Sequence, residues 1–387
     1  MPRLTNRLSA TFVSFFESER SSSLLLIGCT LLSVLLANSA MGNAYVHFWH
    51  QDVFGISLEH WVNDGLMAIF FLMIGLELER ELYSGELSSV KKALLPAIAA
   101  TGGVIVPALI HLFFNAGTNT QAGIAIPMAT DIAFALGIIA LLGSRIPASL
   151  KVFLVALAVI DDLIAVIIIA VFYTADLNLL YLAAALSTFA FLLFCNLKLR
   201  IMSLPLYLIG GVLMWVFMLK SGVHATIAGV LLAFAIPYSA KSEDSHSPSH
   251  KLENFLHKPV AFIILPIFAL ANTGVILSAD WASQFLQTNS LGIMTGLILG
   301  KPLGIYLSSY LAVSHRVCQL PEGLNWNHIF GVGLVAGIGF TMSIFITNLA
   351  FPAQTDLINA SKIAIFSASL IAGTFGYLWL ARYSHSR

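Results

Sequence analysis

Charged residues are scarce in this sequence. Only 10% of its 387 residues are Asp, Glu, Lys or Arg, and 58% are hydrophobic, whereas about a quarter of the residues in a soluble domain are charged. This composition excludes a soluble globular fold and predicts an all-α membrane protein that crosses the lipid bilayer many times. The 19 basic and 19 acidic residues cancel, and no basic patch indicates a nucleic-acid partner.

Cysteines are few, and nucleotide-binding motifs are missing. The three cysteines Cys29, Cys195 and Cys318 lie far apart, and no two have the spacing of metal ligands. We interpret them as small packing residues rather than as a disulfide framework. The sequence contains no phosphate-binding loop and no soluble catalytic domain. It therefore predicts neither an enzyme nor a nucleotide-driven pump, and it indicates no cofactor.

Apolar segments follow one another along almost the whole chain. Most of them reach the roughly 20 residues that a membrane-spanning helix needs. The twelve predicted spans are residues 24–40, 60–78, 93–114, 121–142, 150–173, 177–197, 204–219, 223–236, 260–277, 291–313, 329–350 and 363–381.

Positive charge predicts the orientation of these spans. If the amino terminus is cytoplasmic, most Lys and Arg residues fall on the cytoplasmic side, as the positive-inside rule requires. Segments 204–219 and 223–236 then form a hairpin, because fusing them would place Lys241, Lys251 and Lys258 outside. The predicted parts are a cytoplasmic amphipathic amino terminus (1–23, with a surface helix at 8–20), transmembrane helices one to eight (24–237), a cytoplasmic loop (238–258), transmembrane helices nine to twelve (259–381) and a cytoplasmic tail (382–387).

Two adjacent aspartates, Asp161 and Asp162, lie in the middle of the apolar segment 150–173. An ionisable residue at this depth costs about 2.5–3.5 kcal/mol on insertion scales, so we expect the pair to meet a proton, a cation or a basic group on another helix. Successive helix residues point about 100° apart, so one carboxylate can face water while the other faces a neighbouring helix. Two close carboxylates resist joint ionisation, so protons and a hard cation compete for them, which is the chemistry of an antiporter. The structural alternative is a pair held in interhelical hydrogen bonds.

Two other segments predict helices that break inside the membrane. Pro127 comes shortly before Thr130 and Asp131, and the glycine-rich stretch 337–341 (GIGFT) falls at a similar depth. Such breaks expose the partial charges of helix ends at mid-membrane and indicate a transporter built from inverted repeats.

Two buried charges are placed to offset these helix ends. We expect Asp131 to compensate a positive helix end, with direct ion binding as the alternative. For Lys301, compensation of a negative helix end and an ion pair with Asp161 are equally supported by the sequence.

Five long stretches carry a resemblance to a known family: AIPMATDIAFALG (125–137), ALAVIDDLIAVIIIA (156–170), LKSGVHATIAGV (219–230), ILGKPLGI (298–305) and GIGFTMSIFI (337–346). Through these stretches the chain closely resembles the NhaA-type sodium/proton antiporters over nearly its full length. The resemblance implies twelve spans in inverted-topology repeats, with the fourth and eleventh helices interrupted, in a bacterial inner membrane. It further implies a homodimer without a cofactor that exports Na⁺ or Li⁺ in exchange for external H⁺, electrogenically, by alternating access and with activation at alkaline pH.

The resemblance also assigns roles to single residues. Asp161 and Asp162 match the ion- and proton-binding carboxylates, with Asp162 the favoured cation ligand, and Thr130 matches a residue beside them. Asp131 and Lys301 match the charges that compensate the helix dipoles.

A further charged set matches the region through which the family responds to pH. From the residues alone, the run 77–81 (ELERE) is a solvated salt-bridge face at the end of a helix. His224 is open to two interpretations, a hydrogen-bonded residue at a helix start or a titrating group. The predicted pH sensors are Glu77, Arg80, Glu81, His224, Glu253 and His257.

Two positions depart from the family pattern, and two other functions remain as alternatives. Ile164 stands where glycine is usual, and Asn254 stands where a second histidine is common.

An intramembrane aspartyl protease that uses Asp131 and Asp161 is one alternative, but the Tyr-Asp and Gly-x-Gly-Asp motifs of such proteases are missing. A passive cation channel is the other, and it would conduct without a proton gradient. The outside loop 41–59 is the predicted contact of a homodimer.

Overall fold

Helices dominate the computed structural model, which describes residues 21–174, 177–239, 247–276 and 281–383. The surface helix predicted for residues 8–20 lies outside the described residues. Nine helical segments of the described chain are long and apolar enough to cross a membrane. They are Leu58–Ser84, Val90–Asn115, Gln121–Leu142, Ala148–Phe172, Leu179–Leu197, Leu204–Ser221, Pro248–Asn272, Thr288–Ser314 and Thr355–Tyr383.

Bent helices extend this set. If each of two bent pairs counts as one span, the described residues contain up to eleven spans. The pairs are Ser21–Ala37 with Gly42–Trp49, and Trp326–Ala336 with Phe340–Ala350. A helical multi-pass membrane architecture is therefore confirmed, with nine to eleven candidate spans among the described residues. The count of twelve stays a prediction. The predicted span 223–236 contains a helix of only nine residues, Ile227–Ala235.

Short elements complete the described chain. Three helices contain a π-helical turn, at Trp61–Leu66, Val260–Ile264 and Gly296–Gly300. The remaining elements are the 3₁₀-helices Glu86–Ser88 and Gly143–Arg145, the α-helix Trp281–Gln284 and the antiparallel strands Asp52–Val53 and Ile56–Ser57.

The two strands form a small hairpin in the loop 41–59. At its tip, Phe54 and Gly55 have φ angles of 57° and 88°. Glycine adopts this left-handed conformation without strain, whereas a phenylalanine there is uncommon. The Phe54 side chain is 96% exposed.

Residues 204–236 fold as two helices, Leu204–Ser221 and Ile227–Ala235. Gly222 ends the first of them with a φ angle of 84°, a conformation that glycine adopts readily at helix carboxyl ends. The short polar connection that follows contains His224.

One helix begins earlier than the sequence predicts. The segment 238–258 was expected to be a loop, yet its last part forms the start of the helix Pro248–Asn272. The Ser247 side chain accepts a hydrogen bond from the backbone N–H of His250 at 3.3 Å, and Pro248 occupies the first turn. Serine followed by proline is a helix-start pattern, but the polar composition of the segment favoured a loop.

The chain divides into two compact units, and the boundary inside helix Ala148–Phe172 falls between Asp161 and Asp162. The first unit contains the described parts of residues 1–35, 95–161 and 275–387, and the second contains residues 36–94 and the described parts of 162–274.

Candidate functional site

The first broken helix consists of Gln121–Met128 and Ile132–Leu142. Its first half is a 3₁₀-helix that contains Pro127, which has no amide hydrogen to donate. Ala129 and Asp131 are extended, with ψ angles of 149° and 101°. The break leaves carbonyl groups of the first half and amide groups of the second half without partners in their own helix.

The second broken helix consists of Trp326–Ala336 and Phe340–Ala350, which are bent by 47° relative to each other. Residues 337–339 between them are not helical. Gly337 has no room for a side chain, because a Cβ atom there would lie 2.5 Å from the carbonyl oxygen of Leu297. This break also leaves carbonyl and amide groups without partners in their own helix.

Asp131 lies at the amino-terminal ends of both second halves and is 2% exposed. Its Oδ1 accepts a hydrogen bond from the backbone N–H of Phe134 at 3.1 Å, so it caps its own helix. Its Oδ2 accepts hydrogen bonds from the backbone N–H of Thr341, at 3.0 Å, and from the Thr341 hydroxyl. The Asp131 N–H donates to the carbonyl of Ile338 at 2.7 Å. One carboxylate therefore accepts hydrogen bonds from the amino-terminal ends of two helices.

Lys301 lies at a helix end of the opposite sign. It is fully buried and directly follows the π-helical turn Gly296–Gly300. Its Nζ donates to the carbonyl oxygen of Met128, the last residue of the 3₁₀-helix, and to Oδ2 of Asp161 at 2.5 Å. An ammonium group has three donors, so it satisfies both acceptors at once. The Lys301 side chain therefore makes both of the contacts that its two predicted roles require.

Asp161 is fully buried, and its polar contacts converge on one oxygen. Its Oδ2 accepts from Lys301 and from the Thr130 hydroxyl, which lies 2.7 Å away. The same hydroxyl lies 2.9 Å from the carbonyl oxygen of Ala336, and it donates to one of the two acceptors at a time because it has a single hydrogen. Oδ1 of Asp161 has no hydrogen-bond partner among the described residues.

Asp162 is also fully buried and follows Asp161 on the same helix, about 100° further around the helix axis. Asp161 and Thr130 place a carboxylate oxygen and a hydroxyl oxygen 2.7 Å apart, and hard cations prefer oxygen ligands of these kinds. Among the residues that the structure describes, no group of three or more His, Cys, Asp or Glu side chains is arranged to hold a metal ion.

A second charged group, the Arg80 cluster, consists of Arg80, Glu77, Glu81 and Glu253 in the second unit. Arg80 Nε donates to Glu253 Oε1 at 2.8 Å, and Nη1 donates to Glu81 Oε1 at 2.8 Å. Arg80 Nη2 lies 3.6 Å from Glu77 Oε1. The cluster joins helix Leu58–Ser84 to the helix that begins at Pro248, and it brings together four of the six predicted pH sensors.

Sequence reasoning missed two contacts beside this cluster. Glu79 is 5% exposed, and its Oε2 accepts a hydrogen bond from the Ser249 hydroxyl at 3.0 Å. His250 Nδ1 lies 3.7 Å from Glu253 Oε2. The Ser-Pro helix start at residues 247–248 was the signal that could have revealed both, because Ser249 and His250 lie in the first turn of the helix that follows.

The two remaining predicted sensors lie in different surroundings. His224 Nε2 is 2.9 Å from the carbonyl oxygen of Tyr173, in the connection after Leu204–Ser221. His257 is partly buried, one helical turn after Glu253, so the two side chains share a helix face.

Comparisons with known proteins give a consistent result. A family model described as Na⁺/H⁺ antiporter 1 matches residues 13–380. A Na⁺/H⁺ antiporter NhaA of Dechloromonas aromatica is 64% identical over 380 residues, which cover 98% of this chain and 98% of the relative. The Na⁺/H⁺ antiporter NhaA of Flavobacterium psychrophilum is 60% identical, over 97% of this chain and 96% of the relative. The Na⁺/H⁺ antiporter NhaA 1 of Flavobacterium johnsoniae is 55% identical, over 97% of each chain.

Proposed function

The chain belongs to the Na⁺/H⁺ antiporter 1 family, and we propose that Asp161 and Asp162 bind the two ions that it exchanges. It is a transporter rather than an enzyme and works without a cofactor. The observation that carries the proposal is the environment of Asp161: its Oδ2 is held by Lys301 and Thr130, and its Oδ1 has no hydrogen-bond partner among the described residues. That oxygen is available to a proton or a cation.

Exchange follows from competition for the carboxylate oxygens. With no cation bound, Lys301 neutralises Asp161. A Na⁺ ion that binds the carboxylates and the Thr130 hydroxyl replaces this partner, while Lys301 keeps its hydrogen bond to the Met128 carbonyl. Protons compete for the same oxygens, so protonation of Asp161 and Asp162 releases the cation. Li⁺, a smaller hard cation, fits the same ligands.

Asp131 has a structural role in this scheme. Both of its oxygens are occupied, by the N–H of Phe134 and by Thr341, so it compensates helix ends instead of binding the transported ion. The same bonding argues against an aspartyl protease, because both oxygens of Asp131 already accept hydrogen bonds from the protein. Together with Lys301, Asp131 stabilises the broken helices that flank Asp161 during alternating access.

The topology that we propose has twelve spans in inverted-topology repeats. The nine long helices, the two bent pairs and Ile227–Ala235 add up to twelve segments, and the two broken helices support the repeat. Both termini then face the cytoplasm of a bacterial inner membrane, as do residues 1–23, 238–258 and 382–387. A homodimer would form through the loop 41–59.

Activation by pH is assigned to the Arg80 cluster together with His224 and His257. Arg80 divides its donors between Glu77 and Glu81 on one helix and Glu253 on another. Protonation of a glutamate changes how tightly the two helices are held, which would couple proton concentration to the electrogenic exchange. The membrane potential then drives net inward movement of positive charge.

Inside-out vesicles test the assignment of the ion site. A ΔpH-sensitive dye would report proton movement after addition of Na⁺, Li⁺ or K⁺ between neutral and alkaline pH. We expect a response to Na⁺ and Li⁺ for the wild type and for Asp356→Asn, an exposed control, and none for Asp161→Asn or Asp162→Asn. A normal response from both site variants would contradict the proposal, and a response to K⁺ would overturn the assigned ion selectivity.

A further inference from the structure

A cleft of about 580 Å³ lies in the first unit, on the surface of three membrane-spanning segments: Thr288–Ser314, Trp326–Ala336 and Thr355–Tyr383. Leu299 and Leu303 line it and are 54% and 42% exposed. A surface this apolar, on helices that cross the membrane, faces the acyl chains of the bilayer. The cleft is therefore a place for a lipid chain rather than for a water-soluble ligand.

The cleft is long in one direction and ends at a cation. Ala372, Phe375, Leu378 and Arg382 all line it, and their spacing places them along one face of a single helix. Ala372 and Arg382 are roughly 15 Å apart along the helix axis, at about 1.5 Å per residue. This length accommodates most of an extended acyl chain, with the guanidinium beyond its end.

Aromatic rings gather at the same end of the cleft. The rings of Phe330 and Trp379 have centroids 4.9 Å apart, those of Trp379 and Tyr383 are 4.7 Å apart, and those of Tyr306 and Trp326 are 5.7 Å apart. Trp and Tyr concentrate where a membrane meets water, at the level of the lipid headgroups. Arg382 and these aromatic rings thus place the open end of the cleft at the depth of the lipid headgroups.

Charge decides which headgroup fits. Arg382 is exposed, no carboxylate of the described residues lies within ion-pair distance of it, and no Asp or Glu lines the cleft. A guanidinium binds phosphate through paired hydrogen bonds. The ammonium of a zwitterionic headgroup would find no acidic partner there, whereas an anionic phospholipid leaves no unpaired charge.

We propose that this cleft binds an anionic phospholipid, with one acyl chain lying along Leu299, Leu334 and Phe375 and the phosphate on Arg382. The proposal needs only that these helices cross a membrane, and it is independent of the ion site. Basic positions between transmembrane helices are known to recognise anionic lipid headgroups.

Native mass spectrometry of the detergent-purified protein tests the proposal. Phosphatidylglycerol and phosphatidylcholine with the same acyl chains would be titrated separately. We expect the wild type to hold phosphatidylglycerol more tightly, and Arg382→Gln to weaken that binding by about tenfold, towards the level of phosphatidylcholine, because a charge-assisted bond to phosphate is lost. Arg316→Gln makes the same substitution at another exposed arginine and should leave binding unchanged.

A second variant tests the position of the acyl chain. Leu334→Trp places an indole in the cleft without changing charge and should weaken the binding of both lipids, with the size-exclusion profile showing that the protein stays folded. Equal binding of the two lipids by the wild type would overturn the headgroup assignment. Wild-type affinity for phosphatidylglycerol in Arg382→Gln, or in folded Leu334→Trp, would overturn the site.

Discussion

The two units differ in how their charged side chains are buried and paired. In the first unit, Asp131, Asp161 and Lys301 are at most 2% exposed, and they bond to each other or to the ends of broken helices. In the second unit, the Arg80 side chain is 33% exposed and is shared by three glutamates of the Arg80 cluster. Each buried charge of the first unit therefore has its own set of partners, whereas in the Arg80 cluster several carboxylates share one cation.

The difference predicts how each region responds to a single change. Removing one partner from a buried pair leaves a charge that water cannot reach, which is strongly destabilising. Removing one of several partners from a partly exposed group is compensated by the others and by water. We therefore expect a single substitution among the buried charges at the broken helices to cause a large loss of stability. A single substitution in the Arg80 cluster should cause a small one.

The largest loss of stability is expected for Asp131→Ala. The change leaves the backbone N–H groups of Phe134 and Thr341 without acceptors, and each buried orphan costs about 1–3 kcal/mol. Thermal unfolding in detergent would measure the loss, with Asp356→Ala as an exposed control. Asp131→Asn should lose less, since its amide oxygen still accepts one of these bonds. Equal unfolding temperatures for Asp131→Ala and the control would contradict helix-end compensation.

A smaller loss that depends on pH is expected for Lys301→Met. Without the ammonium, Asp161 must hold a proton to remain buried, so the folded variant binds a proton that the unfolded chain releases near neutral pH. Stability then falls as pH rises, by about 1.4 kcal/mol per pH unit at most. Unfolding midpoints between pH 6 and pH 9 would show this slope, and Lys301→Met with Asp161→Asn should abolish it. The same slope in the double variant would show that Asp161 is not the group concerned.

The contact between Ser249 and Glu79 is expected to contribute about 1 kcal/mol, the value of a single hydrogen bond. Ser249→Ala removes the donor from a carboxylate that is 5% exposed. Chemical or thermal unfolding of the variant would measure the effect, with Ser203→Ala as the control, because Ser203 is an exposed serine of the same unit whose side chain makes no capping hydrogen bond. A change indistinguishable from the control would show that Glu79 is satisfied by other groups.

The smallest effect is expected for Glu77→Gln. Glu77 is the most distant of the three partners of Arg80, at 3.6 Å, and exposed ion pairs contribute about 0–1 kcal/mol. The change in unfolding temperature should shrink further in 1 M salt, because screening acts on partly exposed pairs. A loss as large as that of Asp131→Ala would remove the contrast between the two regions.

Local signals in the sequence predicted the places where the helices break. Pro127 lacks an amide hydrogen, and Gly337 lies too close to Leu297 for a side chain, so both breaks depend on single residues that the sequence displays. The nine to eleven candidate spans of the described residues also follow local composition, whereas Ile227–Ala235, inside a predicted span, is only nine residues long.

Partners that are distant in the chain could not be predicted in the same way. The sequence could not decide between the two predicted roles of Lys301. One of its acceptors is the backbone carbonyl of Met128, and no residue type indicates a backbone acceptor. The bond between Glu79 and Ser249 joins residues 170 positions apart, and the helix that carries Ser249 had been interpreted as a loop. Such pairs depend on tertiary packing rather than on local pattern.

Proton release on sodium binding tests most directly whether the two ions share Asp161 and Asp162. Purified protein in weakly buffered detergent solution would receive NaCl or choline chloride while a pH dye records released protons. We predict that Na⁺ releases protons from the wild type and from Asp356→Asn, that choline releases none, and that the variant with Asp161→Asn and Asp162→Asn releases none with either salt. Sodium binding to the wild type without proton release, or unchanged release from the double variant, would contradict the shared site.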